Sequence, residues 1–500
     1  MHLSLKIKRI FPISLSYILI MLCFLPSLYS QTVATATSKV FRAGAATSNI
    51  TPKIGSSING NFQDGKAKNI HDELHARGLV LDDGQTCLAF VVMDLCMVSK
   101  ETIDKAKARV HKEIDIPVEN ILMSAIHTHS AGTACATGQS DPDPAYVDFV
   151  SERAADAVIR AYRNRIPARI GWGVGHEPDQ VFNRRWKMKP GTPMPDPFGG
   201  QDLVKMNPGV ANPNLLEPAG PTDPEVPVIS IQSLTGDPIA VLANYSLHYV
   251  GGVAPGDISA DYYGMFATRI GELLGADGRH EMPFVGIMTN GTSGDINNIH
   301  WAGKKSDPEP PYKHMRMVAN TLATEAYKVI LGIKYYDWVS LASFQKEISL
   351  GVRRPDAREV KRAQEIVSNA KGPVMMTTEE VYARETLFMK DYPEKVPLIL
   401  QAFRIGDLAI TAVPAEVFAE IGLEIKAKSP FKPTFTIELA NGYNGYLPTP
   451  EQHKLGGYET WRARSSYLEV DASTKITKTL YELLDKLKSA QPVMNASVKN

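Results

Sequence analysis

Several short stretches of the sequence set imidazoles, a carboxylate and phenols where they can hold a metal ion or move a proton. The first is Ser124-Ala125-Ile126-His127-Thr128-His129-Ser130-Ala131-Gly132. It ends an apolar run, residues 120–126, that reads as a short buried strand. Residues two apart on an extended backbone point to the same side, so His127 and His129 can face one cavity from the strand end. Such a pair can hold zinc, or be two polar residues in a turn. A metallo-β-lactamase site continues HxHxDH, whereas Ser130-Ala131-Gly132 follows here. An amidohydrolase barrel carries HxH on its first strand, whereas about a quarter of this chain comes before the pair.

His248 closes a second apolar run, Leu242-Ala243-Asn244-Tyr245-Ser246-Leu247. Glu416 sits in Ala412-Val413-Pro414-Ala415-Glu416-Val417-Phe418, at a strand-to-helix junction where a carboxylate also suits the helix N-terminus. The turn-rich stretch Asn441-Gly442-Tyr443-Asn444-Gly445-Tyr446-Leu447-Pro448 adds phenols. The loop Asn290-Gly291-Thr292-Ser293-Gly294-Asp295-Ile296-Asn297-Asn298 can offer backbone N–H groups to an oxyanion. It lacks the GxxxxGK[ST] spacing of a phosphate loop.

The elements that must position these residues alternate between strand and helix patterns. Apolar runs at 76–81 and 86–94 are split by Asp82-Asp83-Gly84, a hairpin-type turn. Helical spacing covers 100–113 and 146–163, the latter with Val147, Val150, Ala154, Ala157, Val158 and Ala161 on one face. Strands are expected at 226–232, 239–246, 284–288, 398–404, 408–413 and 434–440, and helices at 261–274, 313–331, 418–428 and from Lys475 onward. Residues 184–225 read as a long loop or flap beside the site. Residues 346–397 read as a helical insertion. The alternation predicts an α/β fold of mixed β-sheets with flanking helices in a single large catalytic body.

With 500 residues, 44% hydrophobic and 22% charged, the chain can bury a large core. Lys+Arg and Asp+Glu are both 54, so there is no basic excess of the kind nucleic-acid binders carry. Lys6, Lys8 and Arg9 precede an almost uncharged run, residues 10–28, and Ser30 offers a small residue before a polar stretch. Residues 1–30 read as a secretory signal peptide, which predicts a secreted or periplasmic protein with residues 31–500 as the working domain. No other stretch has the uninterrupted apolar length of a membrane span. Removing Cys23 with the signal leaves Cys87, Cys96 and Cys135, an odd number without CxxC spacing, which argues against a zinc–thiolate site.

The combination and order of these motifs resemble the neutral (non-lysosomal) ceramidase superfamily over nearly all of the mature chain. Gly44-Ala45-Ala46-Thr47-Ser48-Asn49-Ile50-Thr51-Pro52 looks like the family's opening stretch, with Asn49 where Asp is usual. His75-Ala76-Arg77-Gly78, the HTHS run, Asn183-Arg184, His248, Asp261, the Gly-Asp loop, Pro414-x-Glu416 and Asn441-x-Tyr443-x-x-Tyr446 follow in family order. The resemblance implies zinc held by His127, His248, Glu416 and Tyr446, with His129 and Arg184 facing the reacting group and Tyr458 facing the substrate. Three departures stand out. Asn297 stands where the family has its reaction-centre serine, the family's immunoglobulin-like C-terminal domain is not expected after the final helix, and Asn183-Arg184-Arg185-Trp186-Lys187 is more basic and aromatic than the ceramidase counterpart.

The expected activity is zinc-dependent hydrolysis of an N-acyl amide or an ester. His129 is first choice for proton transfer and Asp295 second, Arg184 and Asn297 bind the carbonyl or a neighbouring hydroxyl, and Asn183, Trp186 and Tyr458 bind substrate. A rim of Arg184, Arg185, Lys187, Lys189, His453 and Lys454, with Arg462, Trp186, Tyr458 and Trp461, points to an acylated amino sugar or polyol in preference to a sphingolipid such as ceramide. A true ceramidase, a non-catalytic exported binding protein and a zinc phosphoesterase using Arg184 and Arg185 are the alternatives.

Overall fold

Eight strands form a mixed central sheet, in the order Val285–Asn290, Pro238–Tyr245, Glu225–Ser233, Ile166–His176, Arg42–Asn49, His75–Asp82, Cys87–Met93 and Ile121–Ala125. The computed structural model describes residues 39–276, 283–305 and 307–490, so the expected signal peptide lies outside the described residues. Inner neighbours are antiparallel, and the last pair at each edge is parallel. Strands Val285–Asn290 and Ile121–Ala125 are buried along their whole length, which is why they read as unbroken apolar runs.

Helices α1 (Lys100–Ile114) and α2 (Pro144–Arg163) cover one part of this sheet, α3 (Asp261–Leu273) and α4 (Lys313–Gly332) another. Helix α2 starts where Asp143 accepts the Ala145 N–H (2.9 Å) and Pro144 takes the first helical position. Its buried face carries Val150, Ala154, Ala157, Val158 and Ala161. The helix lies so close to the sheet that a Cβ on Gly44 would come 2.3 Å from the Ala161 carbonyl oxygen.

A second sheet runs Leu341–Gly351, Lys395–Ile405, Leu408–Ala412, Thr434–Ile437. Helices α7 (Ala419–Lys428) and α8 (Ala472–Ser489) pack on it. The first two strands form a continuous antiparallel pair, so the insertion is narrower than expected. It holds α5 (Ala357–Ser368) and α6 (Thr378–Met389), each opened by a capping box.

The segment after Ile437 brings both edges of the central sheet together. The Glu438 N–H donates to Asn290 O (3.2 Å), the Ala125 N–H to Leu439 O (3.2 Å) and the Asn441 N–H to Met123 O (2.8 Å). Two strands far apart in sheet order therefore end side by side. Residues 184–225, expected as a loop, instead build a small antiparallel sheet of Val204–Met206, Arg185–Met188 and Leu215–Pro218. Strands of three or four residues broken by Pro and Gly carry too little alternation to be read from the sequence. The described residues cluster as one compact unit. No helix among the described residues is long and apolar enough to cross a membrane.

Candidate metal centre

His127 lies two residues beyond its strand, with a left-handed backbone (φ 69°) that turns the chain sharply. Its Nδ1 is 3.0 Å from the Cys96 carbonyl oxygen, which can only accept, so Nδ1 carries a proton and Nε2 is the nitrogen left to face a metal. The same argument holds for His248, whose Nδ1 is 3.1 Å from the Ser293 carbonyl oxygen. Both Nε2 atoms turn to Glu416 Oε2, at 3.2 Å from His127 and 3.7 Å from His248. His248 Nε2 and Glu416 Oε2 are buried without a hydrogen-bonding partner. Three potential ligand atoms thus converge, two of them buried without a partner, an arrangement that a cation between them would satisfy. The ligand atoms of His127, His248 and Glu416 lie within 4.8 Å of one another, the span a small cation needs. The donor set, two imidazoles and a carboxylate, fits zinc.

Outer contacts orient this triad. Glu438 accepts from the Ser293 hydroxyl (2.7 Å), and that hydroxyl is 3.3 Å from His248 Nδ1. Burial, reinforced by Glu416, pushes the Glu438 carboxyl up to about 8. The Tyr443 hydroxyl donates to Glu416 Oε1 at 3.0 Å. Cys96 is buried with its Sγ 3.6 Å from His127 Nδ1, and Cys96, His127 and His129 form a second group of potential ligands that shares His127 with the first. Cys96 thus belongs to the surroundings of the centre, whereas from sequence it reads as a plain core residue.

His129 stands beside the triad, its Nε2 3.2 Å from His127 Nε2. Tyr249 stacks on its ring at 3.7 Å between centroids. Gly60 lies against the ring, with φ 101°, and a Cβ there would come 2.4 Å from His129 Cγ. Burial and the charges of His127 and Arg184 hold the His129 imidazole well below its usual range, so it is neutral. Tyr446 pairs with Glu416 across a short parallel ladder. The Arg184 guanidinium lies 5.4 Å from the centre of the Tyr446 ring. His127, His129, Glu416, Tyr443, Tyr446 and Tyr458 line one small cavity.

The other expected site residues sit behind this cavity. Asp295 is fully buried, accepts from Asn183 Nδ2 (2.7 Å) and the Ala419 N–H (2.9 Å), and so anchors the start of α7. Burial pushes its carboxyl up to about 6. Asn297 Nδ2 donates to Asn207 Oδ1 (3.0 Å), and its own Oδ1 accepts the Ile299 N–H (3.0 Å). The Trp186 indole donates to the Asn183 carbonyl (3.1 Å). Neither Asn297 nor Trp186 lines the cavity. In the Gly-rich loop the N–H groups of Gly291, Thr292, Ser293, Gly294 and Ile296 already donate within the fold, so these five are not free for an oxyanion. Arg184 and Arg185 are buried and share Glu459, at 2.8 and 2.6 Å. They form no charged rim, while Lys187 pairs with Glu217 and Arg462 with Glu359.

No family model matches the sequence. Among solved structures, the neutral ceramidase from Pseudomonas aeruginosa superposes with a TM-score of 0.69 at 17% identity, over 92% of this chain and 76% of that one. The chain has the fold of the neutral ceramidases. A ceramidase structure complexed with C2 gives 0.66 at 16% identity, over 92% of this chain and 77% of the other. At these identities the likeness is one of fold. The centre of this ceramidase-like body lies where the two sheets are joined, at the C-terminal ends of Ile121–Ala125 and Pro238–Tyr245.

Proposed function

We propose that the protein is a zinc-dependent hydrolase that cleaves an acyl amide or ester bond. The observation that supports this reading most is the buried convergence of His127 Nε2, His248 Nε2 and Glu416 Oε2, the last two without a hydrogen-bonding partner. Bound zinc supplies Lewis acidity for a water and for a carbonyl group. Tyr446 would complete the donor set as a phenolate: burial and Glu416 push its hydroxyl well above the usual range, the Arg184 charge opposes this, and the charge of a bound zinc would have to supply the rest.

The chain's own residues carry the proton. His129 faces the centre through Nε2, is neutral and is fixed by Tyr249 and Gly60, so it takes the proton from the attacking water and returns it to the leaving nitrogen or oxygen. Tyr458, on the cavity wall, contacts the substrate. Arg184 acts through Tyr446, since its Nε and Nη2 are held by Glu459 and by the Gly294 carbonyl oxygen. Asn183, Asp295 and Asn297 brace the loop in this reading, and residues 1–30 export the domain that follows. The arginine pair that a phosphoesterase would use as a clamp is taken by Glu459, which favours acyl transfer to water.

The test is a panel of chromogenic N-acyl and O-acyl substrates with zinc-loaded and chelated protein. Turnover that needs zinc and disappears in His129→Ala supports the reading. Zinc-independent binding without product would make the protein a carrier.

A further inference from the structure

The cavity at the centre is small, about 50 Å³. One ordered water needs roughly 10–15 Å³ by this kind of measure, so the chamber holds about four. Zinc and one water take part of that space. A second cavity of about 340 Å³ lies outside it, within the range of ordinary ligand pockets. Phe62 and Tyr458 line both chambers.

Between them stands a closed collar of aromatic rings. Phe62 meets Tyr458 edge-on at 5.9 Å, Tyr458 meets Trp461 at 6.0 Å, Trp461 meets Tyr382 at 5.2 Å and Tyr382 meets Phe62 at 6.4 Å. These edge-to-face contacts are the favoured arrangement of aromatic pairs, so the collar is a packed constriction. Its parts come from separate places in the chain: the turn around Phe62, helix α6 of the insertion and the short helix Tyr458–Thr460. The outer chamber sets the faces of Tyr458 and Trp461 beside Asp202, Lys205 and Thr378.

We infer that the collar selects substrates by size: the inner chamber takes a short acyl group such as acetyl, and the outer chamber takes a ring-bearing alcohol or amine. This rests on the hydrolase reading above. The scissile carbonyl must reach the centre, so whatever lies inward of it has only the small chamber. The larger product leaves through the outer chamber, where aromatic faces beside hydrogen-bonding groups suit a sugar or another ring. A long alkyl chain has no space inward of the collar.

Two series test this with zinc-loaded protein. Alkyl hydroxamates, which hold a chain beside the metal without turnover, are titrated from acetyl to octanoyl. p-Nitrophenyl esters of the same acyl groups are assayed in parallel. Wild type should favour acetyl over octanoyl by at least about tenfold in both Kd and kcat/KM. Phe62→Ala, at a partly exposed position, and Tyr382→Ala should each reduce that preference to about threefold or less. Equal or tighter binding of octanohydroxamate, no binding of acetohydroxamate, or an unchanged preference in both variants overturns the inference. The size rule in binding without cleavage of any ester or amide overturns the hydrolase reading and leaves the size rule standing.

Discussion

Arg185 Nη1 lies 2.6 Å from Glu459 Oε2, and neither side chain has any exposed surface. The same carboxylate holds Arg184 Nε at 2.8 Å. One buried anion therefore serves two buried cations, and the pair of arginines that reads as a charged rim is instead the clamp between residues 183–188 and the Tyr458 turn. Burial opposes the Glu459 charge, but the two guanidiniums hold its carboxyl below the usual range. Glu459→Gln leaves both cations short of a counter-charge and should cost about 3–5 kcal/mol of stability. Urea unfolding of the purified variant checks this, and a loss under about 1 kcal/mol would mean the clamp is not structural.

Ser293 and Glu438 touch no substrate, yet they fix the His248 ring. Glu438→Gln and Ser293→Ala should weaken zinc binding by about 10–100-fold, as loss of such orienting contacts commonly does. Competition with a fluorescent chelator reads the affinity. An unchanged zinc Kd in both variants would remove these residues from the centre's support.

Asn297→Ala should leave kcat within about threefold of wild type, because the side chain is engaged by Asn207 and by the Ile299 N–H, away from the cavity. Steady-state kinetics on the best acyl substrate decide the matter. A loss of about a hundredfold or more would give Asn297 a direct role at the carbonyl.

Lys107 is buried against Asn441, and burial pulls its ammonium down to about 7. Its pKa in the unfolded chain is about 10.4. Between those values the unfolded chain binds a proton that the native chain lacks, so stability rises with pH through this window. Lys107→Met should remove on the order of 2 kcal/mol of the gain between about pH 7 and pH 9. The measurement is the urea midpoint of both proteins at the two pH values, and parallel slopes would contradict it.

The motif residues at strand ends were the legible part of the site. His127, His129, His248, Glu416, Tyr446 and Tyr458 can be picked out because each closes a recognisable apolar run or belongs to an ordered set of short motifs, and the fold brings them together. Asn183, Asp295 and Asn297 share the same motifs but turn to the rear of the loop, a difference of side-chain direction that spacing does not carry. Ser293, Glu438, Tyr443 and Cys96 escape because their roles arise only where the Glu438–Asn441 segment joins the two sheet edges. Gly60 follows Asn59 and so reads as part of an ordinary Asn-Gly turn, and its role is visible only against the His129 ring. Phe62 and Tyr382 lie hundreds of residues apart, and nothing local in either neighbourhood marks them as neighbours.

The most direct measurement is the metal content of purified protein by mass spectrometry, wild type beside His248→Ala and Glu416→Ala, after dialysis against metal-free buffer. The account requires about one zinc per wild-type chain and at least a tenfold lower content in both variants, with all three proteins folded by circular dichroism. Equal zinc in the variants, or none in wild type even after reloading, would contradict a metal centre at His127, His248 and Glu416.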